Sequence, residues 1–222
     1  MDKVKAAQEI IKEALARGQN PCFTCSFQAE DVVVLHLLLN QRPDIPVLFL
    51  DTGYHFPEVY AYRDALREQL GFHLVNLVPA LSVEEQEARY GRLYKTDPQR
   101  CCQMRKVEPL FQALKGYDTW FTGLRREQSL TRAHLKPVEQ AVLPSGHQLA
   151  KISPLYDWTL KEVFAYLAVA DLPHLPLYDQ GYLSIGCAPC TQKPLDPSNP
   201  RSGRWAGKGK LECGIHLHGK EG

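Results

Sequence analysis

Five of the seven cysteines stand in patterns that suit metal or nucleophilic chemistry. Cys101 and Cys102 are adjacent, Cys187 and Cys190 bracket Ala188-Pro189, and Cys213 stands alone in Glu212-Cys213-Gly214-Ile215-His216. Four thiolates are enough to close a zinc site or hold an iron–sulfur cluster, and spacing alone leaves both open. Adjacent ligands are unusual for zinc, whose paired cysteines are normally separated by about two to four residues. Cys213 is then left over, a soft nucleophile once deprotonated. His216 follows three residues later, where it could lower the thiol's pKa or hold an anion. Cys22 and Cys25 form another C-x-x-C pair, but on an expected strand positions i and i+3 point to opposite faces. Those two read as buried and inert.

Anion-binding chemistry needs cations and free amides. Arg201 and Arg204 follow the C-x-x-C motif, and Arg125, Arg126 and Arg132 form a second cationic group. Guanidinium forks match phosphate and sulfate oxygens. Of that second group Arg132, with Gly123 before it, is the expected substrate contact. Lys106 lies four residues past Cys102, on the same face if the segment is α-helical. There an ammonium would offset an anionic metal centre and reach an anionic substrate. Ser26 to Asp31 reads as a strand-to-helix turn whose N–H groups face a nucleotide. It lacks the glycine run of an ATP phosphate loop, so ATP pyrophosphatase activity is not expected.

The elements that must position these residues alternate. Lys3–Arg17 carries an apolar helical stripe and Cys22–Phe27 reads as a buried strand. Asp31–Leu39 reads as a helix, Pro46–Leu50 as a strand running into Asp51-Thr52-Gly53, and a helix starts near Pro57. Phe72–Val78 is a third strand, and Ser82 with Glu85 makes a capping box. Met104–Leu114 is a helix with an irregularity at Pro109, and Thr119–Thr122 is a further strand. The fold class is therefore α/β, a mostly parallel sheet with helices on both faces. Ligands of such sheets bind beyond the carboxyl ends of the strands, here Ser26–Glu30, Asp51–His55 and Gly123–Arg126. Residues 1–192 are expected to form the nucleotide-binding domain and 193–222, rich in Gly, Pro and polar residues, a mobile tail carrying Cys213.

Composition bounds the partners. The 222 residues are 44% hydrophobic and 23% charged with a net charge of +1, so no basic field points to nucleic acid. No apolar run approaches the ~20 residues of a membrane span, and the N-terminus lacks a signal-peptide layout. A cytoplasmic protein is expected, where cysteines serve as ligands or catalysts rather than disulfides. Association with further copies of itself is left open.

Six segments in order resemble the assimilatory adenylyl-sulfate reductases and their phosphoadenylyl-sulfate relatives. They are Ser26-Phe27-Gln28-Ala29-Glu30-Asp31, Leu50-Asp51-Thr52-Gly53-Tyr54-His55-Phe56, Cys101-Cys102-Gln103-Met104-Arg105-Lys106, Thr122-Gly123-Leu124-Arg125-Arg126-Glu127-Gln128-Ser129, Cys187-Ala188-Pro189-Cys190 and Glu212-Cys213-Gly214-Ile215-His216. The resemblance implies an adenine-nucleotide α-hydrolase-like (PP-loop) fold and, since all four paired cysteines are present, the branch with a 4Fe-4S cluster. It implies that Cys101, Cys102, Cys187 and Cys190 hold that cluster and that Lys106 serves the site. It also implies that Arg201 and Arg204 are paired substrate-binding arginines. Cys213, with His216, would attack the sulfur of adenylyl sulfate (APS), leaving an S-sulfo-cysteine that thioredoxin or glutaredoxin reduces to release sulfite. The 3′-phosphorylated nucleotide (PAPS) is the rival substrate, and a zinc-stapled nucleotide-binding protein without redox activity the rival class. Gln28 stands where the family usually has Gly or Ser. Trp205 is followed by Ala206-Gly207 rather than by further tryptophans.

Overall fold

The computed structural model describes residues 2–196, 199–206, 210, 212 and 214–216. One six-stranded sheet organises them: β1 (Pro21–Thr24), β2 (Val47–Leu50), β3 (Leu74–Leu77), β4 (Thr119–Phe121), β5 (Val138–Val142) and β6 (Gln148–Ile152). Their order is β3-β2-β1-β4-β6-β5. Every pairing is parallel except the β5–β6 hairpin at the edge. Strand order reverses direction of growth at β1, with β2 on one side and β4 on the other, which is where such sheets open a ligand crevice.

Alternate strand residues enter two cores, as a period of two requires. Phe23, Val47, Phe49, Phe121 and Ile152 pack with α1 (Lys3–Arg17), α2 (Ala29–Leu39), α3 (Pro57–Leu70) and α8 (Leu160–Val169). Cys22, Leu48, Trp120 and Leu149 face the other way, onto Leu110, Phe111 and Leu114 of α7 (Glu108–Leu114). Cys22 and Cys25 fall in different cores, as the strand reading expects. Burial pushes both thiols well up, with Asp118 adding to Cys22 and Asp31 to Cys25. They are inert at neutral pH.

Local chemistry sets the boundaries. β1 stops at Thr24, earlier than its apolar run suggests, because Phe27 turns into the left-handed region at φ 60° and α2 begins at Ala29. α4 (Val83–Tyr90) opens on the expected capping box: the Ser82 hydroxyl accepts from the Glu85 N–H while the Glu85 carboxylate accepts from the Ser82 N–H. Two short helices follow, α5 (Leu93–Thr96) and α6 (Pro98–Cys102). The segment expected to be α-helical from Met104 is instead a π-turn over Gln103–Val107, with the Glu108 N–H bonded to the Gln103 carbonyl. Pro109 explains it: lacking an N–H, it cannot bond back four residues, and the preceding turn widens. The sequence reading assigns no element between Thr122 and Cys187, where the structure has β5, β6 and α8. Among the described residues no helix is long and apolar enough to cross a membrane.

Candidate active site

A cavity of about 340 Å³ opens beyond the carboxyl ends of β1, β2 and β4. Ser26, Lys106, Gly123, Arg132, Arg201, Arg204 and His216 all line it, so residues scattered over most of the chain meet at one place. Phe49, Val59, Leu124, Leu160 and Ile185 supply apolar wall between them.

The floor is the turn from β1 into α2. Asp31 is buried there, and its Oδ2 accepts from both the Ser26 N–H and the Ser26 hydroxyl at 2.6 Å. The Ser26 N–H, expected to face a nucleotide, is thus committed to Asp31. Gly123 closes the other side. A Cβ on it would lie 2.0 Å from Asp31 Oδ1, so only glycine lets β4's end pass so close. Burial, then the neighbouring Glu30 carboxylate, raise the Asp31 pKa, outweighing the Ser26 hydrogen bonds. Gln28 ties the turn to a distant loop: its side chain donates to Ser26 Oγ (3.1 Å) and accepts from the Ile185 N–H (2.8 Å).

Three basic side chains converge by different routes. Arg132, 7% exposed, donates Nη1 to Gln128 Oε1, and Gln128 Nε2 in turn donates to Glu30 Oε1. Arg201 reaches the same point from the C-terminal segment, where both guanidiniums meet Glu212. Arg204 arrives because the chain folds back on the C-x-x-C loop. The Gln192 N–H bonds the Gly203 carbonyl, the Trp205 N–H bonds the Cys190 carbonyl, and Thr191 bridges to Arg204. Arg204 then lies against Gly186, where a Cβ would stand 2.1 Å from its Nη2. Of the other cations, Arg125 is buried on Glu127 and the Trp158 carbonyl, while Arg126 is exposed and bonded to the Leu135 carbonyl. Asp51 caps its own turn, accepting from the Gly53 N–H (3.1 Å) and the Tyr60 hydroxyl (2.6 Å).

Behind this cavity lies a smaller one lined by all four paired cysteines, Cys101, Cys102, Cys187 and Cys190. Lys106, Arg204 and Trp205 border both cavities and form the wall between them. Cys102, Cys190 and the buried Trp205 pack with Tyr94 and Cys187 into a small apolar cluster of their own. The Cys101 thiol is pushed up to about 12 by burial and by the three other thiols around it. Burial acts the same way on Cys187, but Lys106, the Thr52 hydroxyl (3.3 Å from Sγ) and Arg204 together outweigh it and hold this thiol below its usual value. Arg105 braces the wall. Fully buried, it donates to the Thr52 and Leu81 carbonyls and to Gln86 Oε1. Among the described residues no three His, Cys, Asp or Glu side chains form a single-ion site. Cys213 lies outside the described residues, between Glu212 and Gly214.

This combination has relatives. The sequence model of the phosphoadenosine phosphosulfate reductase domain matches residues 20–193. The adenosine 5′-phosphosulfate reductase of Geobacillus kaustophilus is 42% identical over 219 residues, covering 97% of this chain and 92% of that protein. Adenosine 5′-phosphosulfate reductase 2 of Bacillus subtilis is 44% identical over 201 residues, covering 90% and 84%. The chain belongs to the phosphoadenosine phosphosulfate reductase family.

Members of this reductase family are oxidoreductases acting on a sulfur group, and so is this chain. Among solved structures, the phosphoadenylyl-sulfate reductase of Candida auris in its phosphate complex superposes with a TM-score of 0.71 at 28% identity, over 82% of this chain and 88% of that one. The FMN adenylyltransferase of Candida glabrata gives 0.62 at 16% identity, covering 84% and 61%, a likeness of fold alone. The adenine-nucleotide α-hydrolase-like architecture expected from the motifs is therefore the observed one. Sequence reasoning missed Glu30, Gln128 and Glu212, the acids and amide that hold the reductase's arginines. Glu212 carried a signal, since it adjoins Cys213. Glu30 and Gln128 stood inside the matching segments, but their contact could not be read, because only the fold brings β1's end and the loop after β4 together.

Proposed function

We propose that the chain is a thioredoxin-dependent adenylyl-sulfate reductase, with residues 193–222 as the arm that carries the nucleophile. The observation that carries this reading is the shared wall: Lys106 and Arg204 stand between a cavity lined by four thiols and one lined by anion-binding side chains. Its apolar walls suit an adenine and its cations suit a phosphosulfate. Arg132, Arg201, Arg204 and Lys106 hold and orient the anion, and Ser26 and Gly123 shape the floor under the nucleoside. The Cys213 thiolate attacks the substrate's sulfur. The sulfur–oxygen bond to AMP breaks, AMP leaves with the electron pair, and the sulfo group stays on Cys213. Lys106 and the arginines stabilise the negative charge that builds on the leaving phosphate. His216 stands near enough in sequence to assist the thiol. A reduced dithiol protein of the thioredoxin or glutaredoxin class then attacks Cys213 Sγ, expelling sulfite and forming a mixed disulfide. Its second thiol resolves that disulfide, so the two electrons come from the dithiol.

The four-cysteine cavity fits a 4Fe-4S cluster. The donor set is all thiol, the softest a protein offers, and cations and an indole enclose it. When bound, the cluster would supply negative charge and a covalent staple between two distant segments. The dependence on a reduced dithiol supports a cytoplasmic site of action, where thiols are kept reduced.

The deciding experiment compares sulfite release from APS and from PAPS, with and without reduced thioredoxin. Release from APS, dependent on the dithiol, is expected; preference for PAPS would move the assignment to the other branch. The cysteine site is tested by colour. Anaerobically purified protein should absorb broadly near ~400 nm, whereas a colourless protein with stoichiometric zinc would replace the cluster by a zinc staple.

A further inference from the structure

The Glu212 carboxylate sits where an oxyanion would be expected to bind. One oxygen takes Arg132 Nη2 at 2.9 Å and Arg201 Nη2 at 3.0 Å. The other takes the Ser129 and Thr131 hydroxyls at 3.3 and 3.4 Å. Two guanidiniums and two hydroxyls are the donor set a sulfate or phosphate group would use. Burial alone would raise this carboxyl's pKa, but Arg132 and Arg201 outweigh it and keep it below the ordinary value, so the group is an anion. Arg132 does not lean on Glu212 for its position, because Gln128 and Glu30 hold it from behind.

The chain is pinned again just beyond residue 213. Ile215 packs against the core that contains Leu48, Leu110 and Trp120, and the His216 ring stacks on Trp120 with centroids 5.8 Å apart and planes 16° off parallel. Glu212 is thus held by an ionic clasp, and Ile215 and His216 by apolar and aromatic contacts.

We infer that Glu212 is a positioning residue that acts as a built-in stand-in for the substrate's anion. It holds its own stretch of chain at the cavity by occupying Arg132 and Arg201, and the incoming phosphosulfate takes those arginines from it. The inference rests on the proposed nucleotide reading of the cavity and adds a coupling: two anions compete for one donor set. By linkage, weakening the clasp strengthens nucleotide binding by up to the same factor, the full factor where the clasp is mostly closed. The stack of His216 on Trp120 does not use Arg132 or Arg201, so it can hold this stretch near the cavity while the ionic clasp exchanges partners.

The test uses the full-length holoprotein carrying C213S, which blocks turnover, with and without E212Q. Calorimetric titration with APS and with AMP should show E212Q binding about 3- to 10-fold more tightly, the scale of one charge-assisted contact removed from competition. A glutamate with only a structural role predicts the opposite, weaker binding. Hydrogen exchange over residues 210–216 should rise when APS is added to the Glu212 protein, and start high and stay high in E212Q. Unchanged or weaker binding in E212Q, or exchange unaffected by APS, overturns the clasp alone. If neither protein binds APS or AMP, the nucleotide reading falls and the clasp with it. If E212Q does not fold, Glu212→Asp serves instead: one methylene shorter, its carboxylate no longer reaches the shared contact with both arginines, so tighter binding is again expected.

Discussion

Single side chains at this site are set by their neighbours' charges more than by their own type. Lys106 is the clearest case, since it touches both cavities and depresses the Cys187 thiol. Lys106→Ala should lower kcat/KM for sulfite release by about 10- to 100-fold, the usual worth of a charge-assisted contact to a reacting anion. Iron content should stay unchanged, because the four thiols remain. Cys213→Ser should abolish sulfite release while leaving nucleotide binding and metal content intact; retained turnover would remove Cys213 from the mechanism. Lys151 makes a different point. It is 4% exposed on β6, its ammonium 5.2 Å from the Trp120 ring, and burial, with Arg132 adding, lowers its pKa from 10.5 to about 8. The unfolded chain therefore binds more protons than the folded one between pH ~8 and ~10.5, so stability rises with pH through that window. Below pH ~8 the full cost of a buried charge is present. Lys151→Met should accordingly stabilise the protein at pH 7 by about 1–3 kcal/mol in urea unfolding, with the gain fading by pH ~10.

At the scale of elements, two short irregularities decide where the chemistry sits. The π-turn at Gln103–Val107 carries Arg105 inward, to brace the Thr52 loop, and Lys106 to the wall between the cavities. An α-helical i, i+4 spacing was expected to join Cys102 and Lys106; a π-turn occupies that segment, and both residues line the smaller cavity. The β1–α2 turn depends on a close approach rather than on its own hydrogen bonds alone. Gly123→Ala would drive a methyl into Asp31 Oδ1 and crowd the Asp31 backbone nitrogen, 3.2 Å from the added Cβ. An unfolding free energy lower by about 1–3 kcal/mol is expected, read as a lower urea midpoint at unchanged slope. The same change should weaken nucleotide binding, since Ser26 and Gly123 border the same cavity.

Over the whole molecule, the cysteine site and the C-terminal segment are one mechanical unit. Cys101 and Cys102 end α6 while Cys187 and Cys190 lie in the loop from Ser184 onward, and the segment carrying Arg201 and Arg204 is folded onto that loop. On the proposed cluster reading, removing the cluster by oxidation or chelation should therefore raise hydrogen exchange over residues 184–206, while the central strands β1, β2 and β4 stay protected. Loss of protection throughout the sheet would instead make the metal a requirement of the entire fold. Substrate affinity should fall in parallel, because Arg204 reaches the cavity only through this loop.

How far the sequence went follows from the range of the forces involved. Alternating strands and helices, the parallel sheet, the capping box at Ser82 and the opposed faces of Cys22 and Cys25 were legible because each depends on neighbours a few residues away. The cysteine pairs and the basic residues were legible because their chemistry is fixed by residue type. β5, β6 and α8 were not read, as the hairpin lies at the sheet's edge with Val138 and Val142 exposed, which blurs its period. What the sequence determined by itself is the inventory: four paired thiols, one further thiol in Glu212-Cys213-Gly214, and cations enough for an anion. Only the tertiary structure decided that Lys106 and Arg204 divide two cavities, that Glu30 and Gln128 hold Arg132, and that Glu212 occupies the arginines next to Cys213. Some of those contacts join near neighbours and others, Glu30 to Gln128 and Arg132 to Glu212, residues 98 and 80 positions apart; side-chain electrostatics act over a few ångströms of space, whatever the separation along the chain.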